Sequence, residues 1–391
     1  MSLRSLARDL GVALTLGGRA LRRRLAGAST TLDTASWRAE LEHWLQSLPP
    51  GVVAEHRFVD LPAKRPPWTD TGLNLDAGEC VSWFATGRVF LSRVLDIWVS
   101  PSFQLWARVG TAGPVFRGTR ATHTFTAAVP GPLQLASYFP GEWATHDGTL
   151  RTGTDQYGRV TGGMTVLLVR WARGHGVART LDAVGAAPDP VRAEAARVHA
   201  SPVTPDGWDY LWYLGPGEIY RTGHASDGHP TLCCDTHGDV GILRRVAHVP
   251  LAAGTELRWR WRVGQLPTDL REDSLLSHDY LSVAVEFDDG QDLTYYWSAA
   301  LPVGTVYRCP LPTWKDLETH VVVRSGTAEL GRWLEESRDL HADYRRIIGG
   351  PARSVVRVWL IANSLFLRGR GRCEYAAIEL EGSDGAIVKV L

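Results

Sequence analysis

The chain has 391 residues, 44% of them hydrophobic, enough apolar surface for more than one core, so two domains are the natural count. Its 42 basic residues balance 42 acidic ones, and of the basic set only Lys64, Lys315 and Lys389 are lysines. That balance provides no field for a polyanion, and nucleic acid is not expected as a partner.

In chain order, the apolar run from Gly11 to Gly18 comes first. It is broken by Thr15 and followed by Arg19, Arg22, Arg23 and Arg24. It is too short to span a bilayer and has no small-residue cleavage site directly after it, so neither a membrane span nor a secretory signal is read here. The segment reads as an amphipathic helix, either docked on the protein's own body or making a peripheral membrane contact through residues 1–25. A second helix follows in TASWRAELEHWLQSLPP, where Trp37, Leu41, Trp44, Leu45 and Leu48 keep the three–four spacing. Ser36 is positioned to cap it and Pro49-Pro50 to end it. Residues 1–50 are therefore expected to be helical.

From residue 51 to 173 the period drops to two. Runs such as CVSWFATGRVFL, FQLWARVG, THTFTAAV, LQLASYF and MTVLLVRW are separated by turns rich in Gly, Pro and Asp. Many short strands at about ten-residue spacing indicate an antiparallel sandwich or barrel. Residues 174–206 interrupt the pattern, and APDPVRAEAARVHA within them reads as a linker helix. A second β region then fills 207–391, with LGRWLEESRDLHADYRRIIG (330–349) as a helical excursion between strands. The expected fold is mainly β: two tandem antiparallel β-sandwiches of jelly-roll or galactose-binding type, preceded by helices.

The stretch LWARVGTAGPVFRGTRATHTFTAAVPGPLQLASYFPGEWATHDGTL, with DAGECVSWFATG before it, resembles the bacterial galactophilic lectins, small calcium-dependent β-sandwiches. Those lectins hold calcium and sugar in a loop ending in paired asparagines. Here the loop after Tyr138 reads FPGEWATHDG and offers Glu142, Thr145 and Asp147 instead. The resemblance implies the fold and not the ion. Further on, LTYYWSAALPVGTVYRCPLPTW, THVVVRSGTAELGRWLEESRDLHADYRR and CEYAAIEL resemble an uncharacterised bacterial domain family of jelly-roll architecture, which implies a sandwich and no activity. Where an Asp/Asn-rich turn is expected near its end, this chain has IANSLFLRGRGR.

Five cysteines (Cys80, Cys233, Cys234, Cys309 and Cys373) form no CxxC pair, so no metal and no cofactor are expected, and a reduced, cytoplasmic chain is the simplest reading. No nucleophile elbow, HExxH, Walker loop or dinucleotide fingerprint is present.

Two functions from different classes fit. One is a module that binds a carbohydrate or similar small molecule. Tyr295, Trp297, Trp259, Trp261 and Trp359 would be its stacking platforms, and Arg324 a forked donor on the face shared by His320. The other is a cofactor-independent lyase, cyclase or hydrolase using an acid–base pair drawn from His278, Asp279, Asp235, His237 and His320 in an aromatic-lined pocket. Against both stand plainer readings: the tryptophans as core, 319–325 as a solvated sheet face, and Asp235-x-His237-x-Asp239 as ordinary turn chemistry.

Overall fold

The computed structural model describes residues 3–26, 33–65, 67–137, 143–151, 153–183 and 187–391. The chain divides into two compact units. One comprises Leu16–Pro202 with Trp212–Pro216; the other comprises Met1–Thr15, Val203–Leu211 and Gly217–Leu391.

The N-terminal unit is a β-sandwich with helices on one outer face. Its five-stranded sheet runs Val53–Pro62, Thr161–Trp171, Cys80–Ser92 and Ile97–Val99, with Thr122–Thr126 also paired to Cys80–Ser92. The facing sheet has Trp68–Leu75, Gly131–Ser137 and Leu105–Val109. Alternation explains both sides of the larger sheet. Trp83, Met164, Val166 and Leu168 point into the sandwich, while Phe84, Leu167, Val169 and Trp171 point outward. The outward set is covered by Leu41 and Trp44 of the helix Thr34–Ser47, by Val177 of Val177–Ala183 and by Val191 of Asp189–His199. Val177, Ala187, Val191 and Val198 of this connecting stretch thus belong to this unit's packing. The helix cap falls three residues earlier than the sequence suggests: Asp33 accepts hydrogen bonds from the Ser36 backbone N–H (3.0 Å) and hydroxyl (2.6 Å). In the loop that the lectin resemblance singles out, Tyr138 and Glu142 lie outside the described residues, while Thr145 and Asp147 hydrogen-bond each other.

The C-terminal unit is a larger sandwich. Its seven-stranded sheet is ordered Val306–Arg308, Glu318–Ser325, Asp292–Ser298, Tyr280–Phe287, Ser354–Asn363, Val240–Pro250, Asp209–Tyr210. Every neighbouring pair is antiparallel except Asp292–Ser298 with Glu318–Ser325, which is parallel. The six-stranded sheet is ordered Tyr220–His224, Pro230–His237, Arg370–Glu381, Glu256–Gln265, Leu334–Asp339, with Ile387–Lys389 also paired to Arg370–Glu381. Between them lies one apolar core holding Leu257, Trp259, Trp261, Val263, Val283, Val285, Tyr295, Trp297, Leu360, Tyr375 and Ile378. The segment expected as a helical excursion is instead the strand Leu334–Asp339 followed by the helix Leu340–Ile347. Asp339 caps that helix through Ala342 N–H.

Candidate functional site

The outer face of the six-stranded sheet carries an open groove of about 480 Å³. Its floor follows from strand register. Arg221, Cys233, Glu374 and Arg262 are successive cross-strand partners over four strands, and Asp235 pairs with Arg372 one step along. Their sequence neighbours Tyr220, Cys234, Tyr375, Trp261 and Val263 point the other way, into the core. One guanidinium nitrogen of Arg262 donates to both Glu374 oxygens (2.6 and 2.7 Å). Asp235 takes a two-point fork from Arg370 (2.8 and 2.6 Å), which holds its carboxyl below the usual carboxylate range. Beside the groove, Trp333 has the guanidinium groups of Arg260 and Arg262 over its ring at 5.4 and 5.5 Å.

A second convergence lies on the outer face of the seven-stranded sheet. Glu318 and His320 alternate with Val321 of the core, so they face away from it. His278, from the loop leading into Tyr280–Phe287, and Cys309, just beyond the edge strand Val306–Arg308, complete a set whose donor atoms all lie within 4.8 Å of one another. All four residues are buried, none more than 3% exposed. The Glu272 carbonyl lies 2.6 Å from His278 Nδ1. A carbonyl only accepts, so Nδ1 carries the proton and Nε2 presents its lone pair, 3.4 Å from Cys309 Sγ. Burial, reinforced by the neighbouring His320, pushes the His278 pKa down to about 3, so its imidazole is neutral. Burial would raise Glu318, but His320 beside it outweighs burial and lowers its pKa, so the group is a carboxylate. That carboxylate accepts from Tyr280 hydroxyl at 2.8 Å and Thr294 hydroxyl at 3.2 Å. Burial pushes the Cys309 thiol far up, so it is no nucleophile.

Of the residues singled out from sequence, His278 and His320 therefore come together, with ring centroids 4.8 Å apart. Asp279 turns away. Its carboxylate accepts from the backbone N–H groups of Phe366 (3.0 Å) and Leu367 (2.7 Å), and burial raises its pKa to about 7. It anchors the apolar turn in IANSLFLRGRGR. Asp235 lines the groove, whereas His237 is exposed and Asp239 sits in the adjoining turn, where its carboxylate accepts from Val240 N–H.

The aromatic platforms need correction. Trp259, Trp261, Tyr295 and Trp297 are at most 1% exposed inside the sandwich, where they pack on one another at 5.7–5.8 Å. Trp359 is buried on the opposite face, donating to Glu286 at 3.0 Å. Closed in this way, none of the five offers a ring face to a ligand. Arg324 is corrected too. A bulge at Val323 puts it in register with Trp297, so it shares that residue's face and not that of His320. There it donates to Glu336 (2.6 Å) and Glu329 (3.1 Å).

Cys309 and Glu318 were missed, as were Arg221, Arg262, Arg372, Glu374 and Trp333. Glu318-x-His320, two residues apart on a strand, was a readable same-face pair. Nothing local marks Cys309, which joins through the fold alone.

Residues 207–379 match the model of a family described as a protein of unknown function, DUF3047. Both the groove and the buried cluster lie within this DUF3047 region. No curated protein matches the chain. Among solved structures, a lectin described as the EclA N-terminal domain, PllA-like, is 20% identical over 29% of this chain and 94% of its own, with a TM-score of 0.23. A family 30 carbohydrate-binding module from a cellulosomal cellulase of Clostridium thermocellum is 10% identical over 46% of this chain and 89% of its own (TM-score 0.25). A structure described for carbohydrate-binding modules of the β-sandwich superfamily is 9% identical over 85% of this chain and 99% of its own (TM-score 0.23).

Proposed function

We propose that the DUF3047 region is a binding module for a polyhydroxylated small molecule, a carbohydrate being the best fit, held in the groove on the six-stranded sheet. The observation that carries this reading is the row of Arg221, Glu374 and Arg262 across four strands, with Asp235 and Arg372 beside it. Guanidinium forks and carboxylates set at strand spacing match vicinal hydroxyls, each of which both donates and accepts. Trp333, flanked by two guanidinium groups, supplies an apolar face for a sugar ring. The test is a glycan array followed by calorimetry on the full chain. At least one glycan class should bind, and Arg262→Ala or Trp333→Ala should weaken it tenfold or more at unchanged melting temperature. An array without hits, or hits indifferent to both substitutions, would rule the reading out.

A specific feature of the helix Leu3–Leu25 favours a second contact, with a membrane surface. Leu10, Leu14, Leu21 and Leu25 are exposed and, at 100° per residue, fall within about 60° of one another. The buried Val12, Leu16 and Ala20 lie on the other side. Among the described residues no helix is long and apolar enough to cross a membrane.

A further inference from the structure

We propose that His278, Cys309, Glu318 and His320 bind one Zn²⁺ ion, which fastens the edge of the seven-stranded sheet. The donor set is two imidazole nitrogens, one sulfur and one carboxylate oxygen. Zn²⁺ takes these donors in tetrahedral sites, whereas Ca²⁺ and Mg²⁺ take oxygen. A tetrahedron with metal–ligand bonds of roughly 2.0–2.3 Å holds its ligands roughly 3.3–3.8 Å apart. Two pairs already stand near that separation: Cys309 Sγ to His278 Nε2 at 3.4 Å, and Glu318 Oε1 to His320 Nε2 at 3.2 Å. The widest pairs, within 4.8 Å, close the remaining ~1 Å by side-chain rotation.

Independent features surround the set. His278 Nδ1–H donates a hydrogen bond to the Glu272 carbonyl, which aims Nε2 at the cluster, and the Tyr280 hydroxyl donates to Glu318. Metal-ligating histidines and carboxylates are oriented in this way. His320 is wholly buried, and while its Nε2 faces the Glu318 carboxylate at 3.2 Å, neither ring nitrogen makes a well-aligned hydrogen bond. A buried imidazole so poorly satisfied costs free energy, and a metal bond to one nitrogen reduces that cost. Charge closes as well. On binding, the Cys309 S–H proton leaves to solvent as the Zn–S bond forms, so thiolate and carboxylate together neutralise the dication in a low-dielectric site.

With four protein ligands and burial on every side, the site has no position for substrate, which is the arrangement of a structural ion. It ties the loop at His278 to the sheet edge formed by Cys309 and the nearby strand carrying Glu318 and His320. The site stands independently of the groove.

The experiment is metal analysis and native mass spectrometry of the purified full chain, then Co²⁺ titration after chelation. We expect about one Zn²⁺ per chain, a lower melting temperature after chelation, and a Co²⁺ complex with tetrahedral visible bands and thiolate-to-cobalt charge transfer. Cys309→Ser should abolish the charge-transfer band. Tyr280→Phe should keep the spectrum and weaken Co²⁺ affinity about 10–100-fold. A chain that purifies without metal and neither binds Co²⁺ nor is stabilised by Zn²⁺ overturns the proposal, as does a Co²⁺ spectrum unchanged by Cys309→Ser. If Cys309→Ser does not fold, the wild-type charge-transfer band and the Tyr280→Phe affinity decide: their absence overturns the proposal, their presence supports it.

Discussion

Tyr307 lies flat on His320, ring centroids 5.0 Å apart and planes inclined by 7°, and the two are register partners across the edge of the seven-stranded sheet. The Tyr307 hydroxyl donates to that of Tyr296 at 3.0 Å. An aromatic pair of this kind contributes about 0.5–1.5 kcal/mol beyond area burial, and a neutral hydrogen bond about 0.5–1.5 kcal/mol. Tyr307→Phe should therefore destabilise the C-terminal unit by about 1 kcal/mol, and Tyr307→Leu by about 1–3 kcal/mol. Urea unfolding of the two variants measures the difference. Equal losses would mean that the ring on His320 contributes nothing.

Alternation made the sandwiches readable, because residues such as 319–323 and 293–297 carry the two-residue rhythm of a sheet with one face in a core. What alternation could not reveal was which face met solvent. In the Tyr296 neighbourhood both faces are covered: Tyr295 and Trp297 by the opposite sheet, Tyr296 by Tyr307 and the edge strand. A polar residue on the outer face, such as His320, therefore became a buried one. The bulge at Val323 has no sequence marker, yet it moves Arg324 to the opposite face. Helix and strand were confused at Leu334–Asp339 because its charged residues pair across the strand edge and leave no apolar alternation. The groove residues were hidden for a related reason, since Arg221, Arg262 and Glu374 meet only through register over four strands.

Arg324 divides its guanidinium between two carboxylates in different surroundings. Glu336, its side chain 11% exposed, also accepts from Trp261 Nε1 at 3.1 Å, whereas Glu329 is 37% exposed. Removing a buried, charged acceptor costs about 1.5–3 kcal/mol, and an exposed ion pair contributes about 0–1 kcal/mol. Glu336→Ala should therefore lower stability by about 1.5–3 kcal/mol and Glu329→Ala by less than about 1 kcal/mol. Chemical denaturation reads both, and a Glu329→Ala loss as large as that of Glu336→Ala would refute the assignment.

Acidification should weaken the N-terminal unit in two successive windows. Burial, with Arg197 nearby, lowers the His123 pKa from 6.5 to about 4. The unfolded chain thus takes up a proton that the folded one refuses, and stability that is complete above pH 6.5 falls as pH drops towards 4. The slope there is about 1.4 kcal/mol per pH unit for one proton. Glu194 follows. Burial alone would raise it, but Arg197, donating to its two oxygens at 3.0 and 2.5 Å, and Thr122 at 2.7 Å outweigh burial and lower its pKa below 4.5. Its contribution is present above pH 4.5 and disappears as pH falls through the lowered value. Urea unfolding at stepped pH should show His123→Gln flattening chiefly the first window and Glu194→Gln removing the second, the latter also extending the first towards lower pH because the Glu194 charge holds the His123 pKa up. A wild-type profile flat between pH 6.5 and 4 would contradict this account.

The leucine stripe on the first helix makes the membrane reading quantitative. Leu10, Leu14, Leu21 and Leu25 are between 56% and 79% exposed, and the last turn carries Arg22, Arg23 and Arg24. Each leucine side chain moved from water into an apolar layer is worth about 1.5–3 kcal/mol when fully buried. Insertion at an interface is shallower, so Leu14→Gln with Leu21→Gln should weaken binding to vesicles at least tenfold, equivalent to roughly 1.4 kcal/mol. Cosedimentation with vesicles containing anionic lipid tests this, because the arginines add an attraction that salt screens. Binding that weakens both in the double variant and at high salt identifies the helix as the contact. Failure of the wild-type chain to sediment at low salt would leave the stripe as exposed surface with no role at a bilayer.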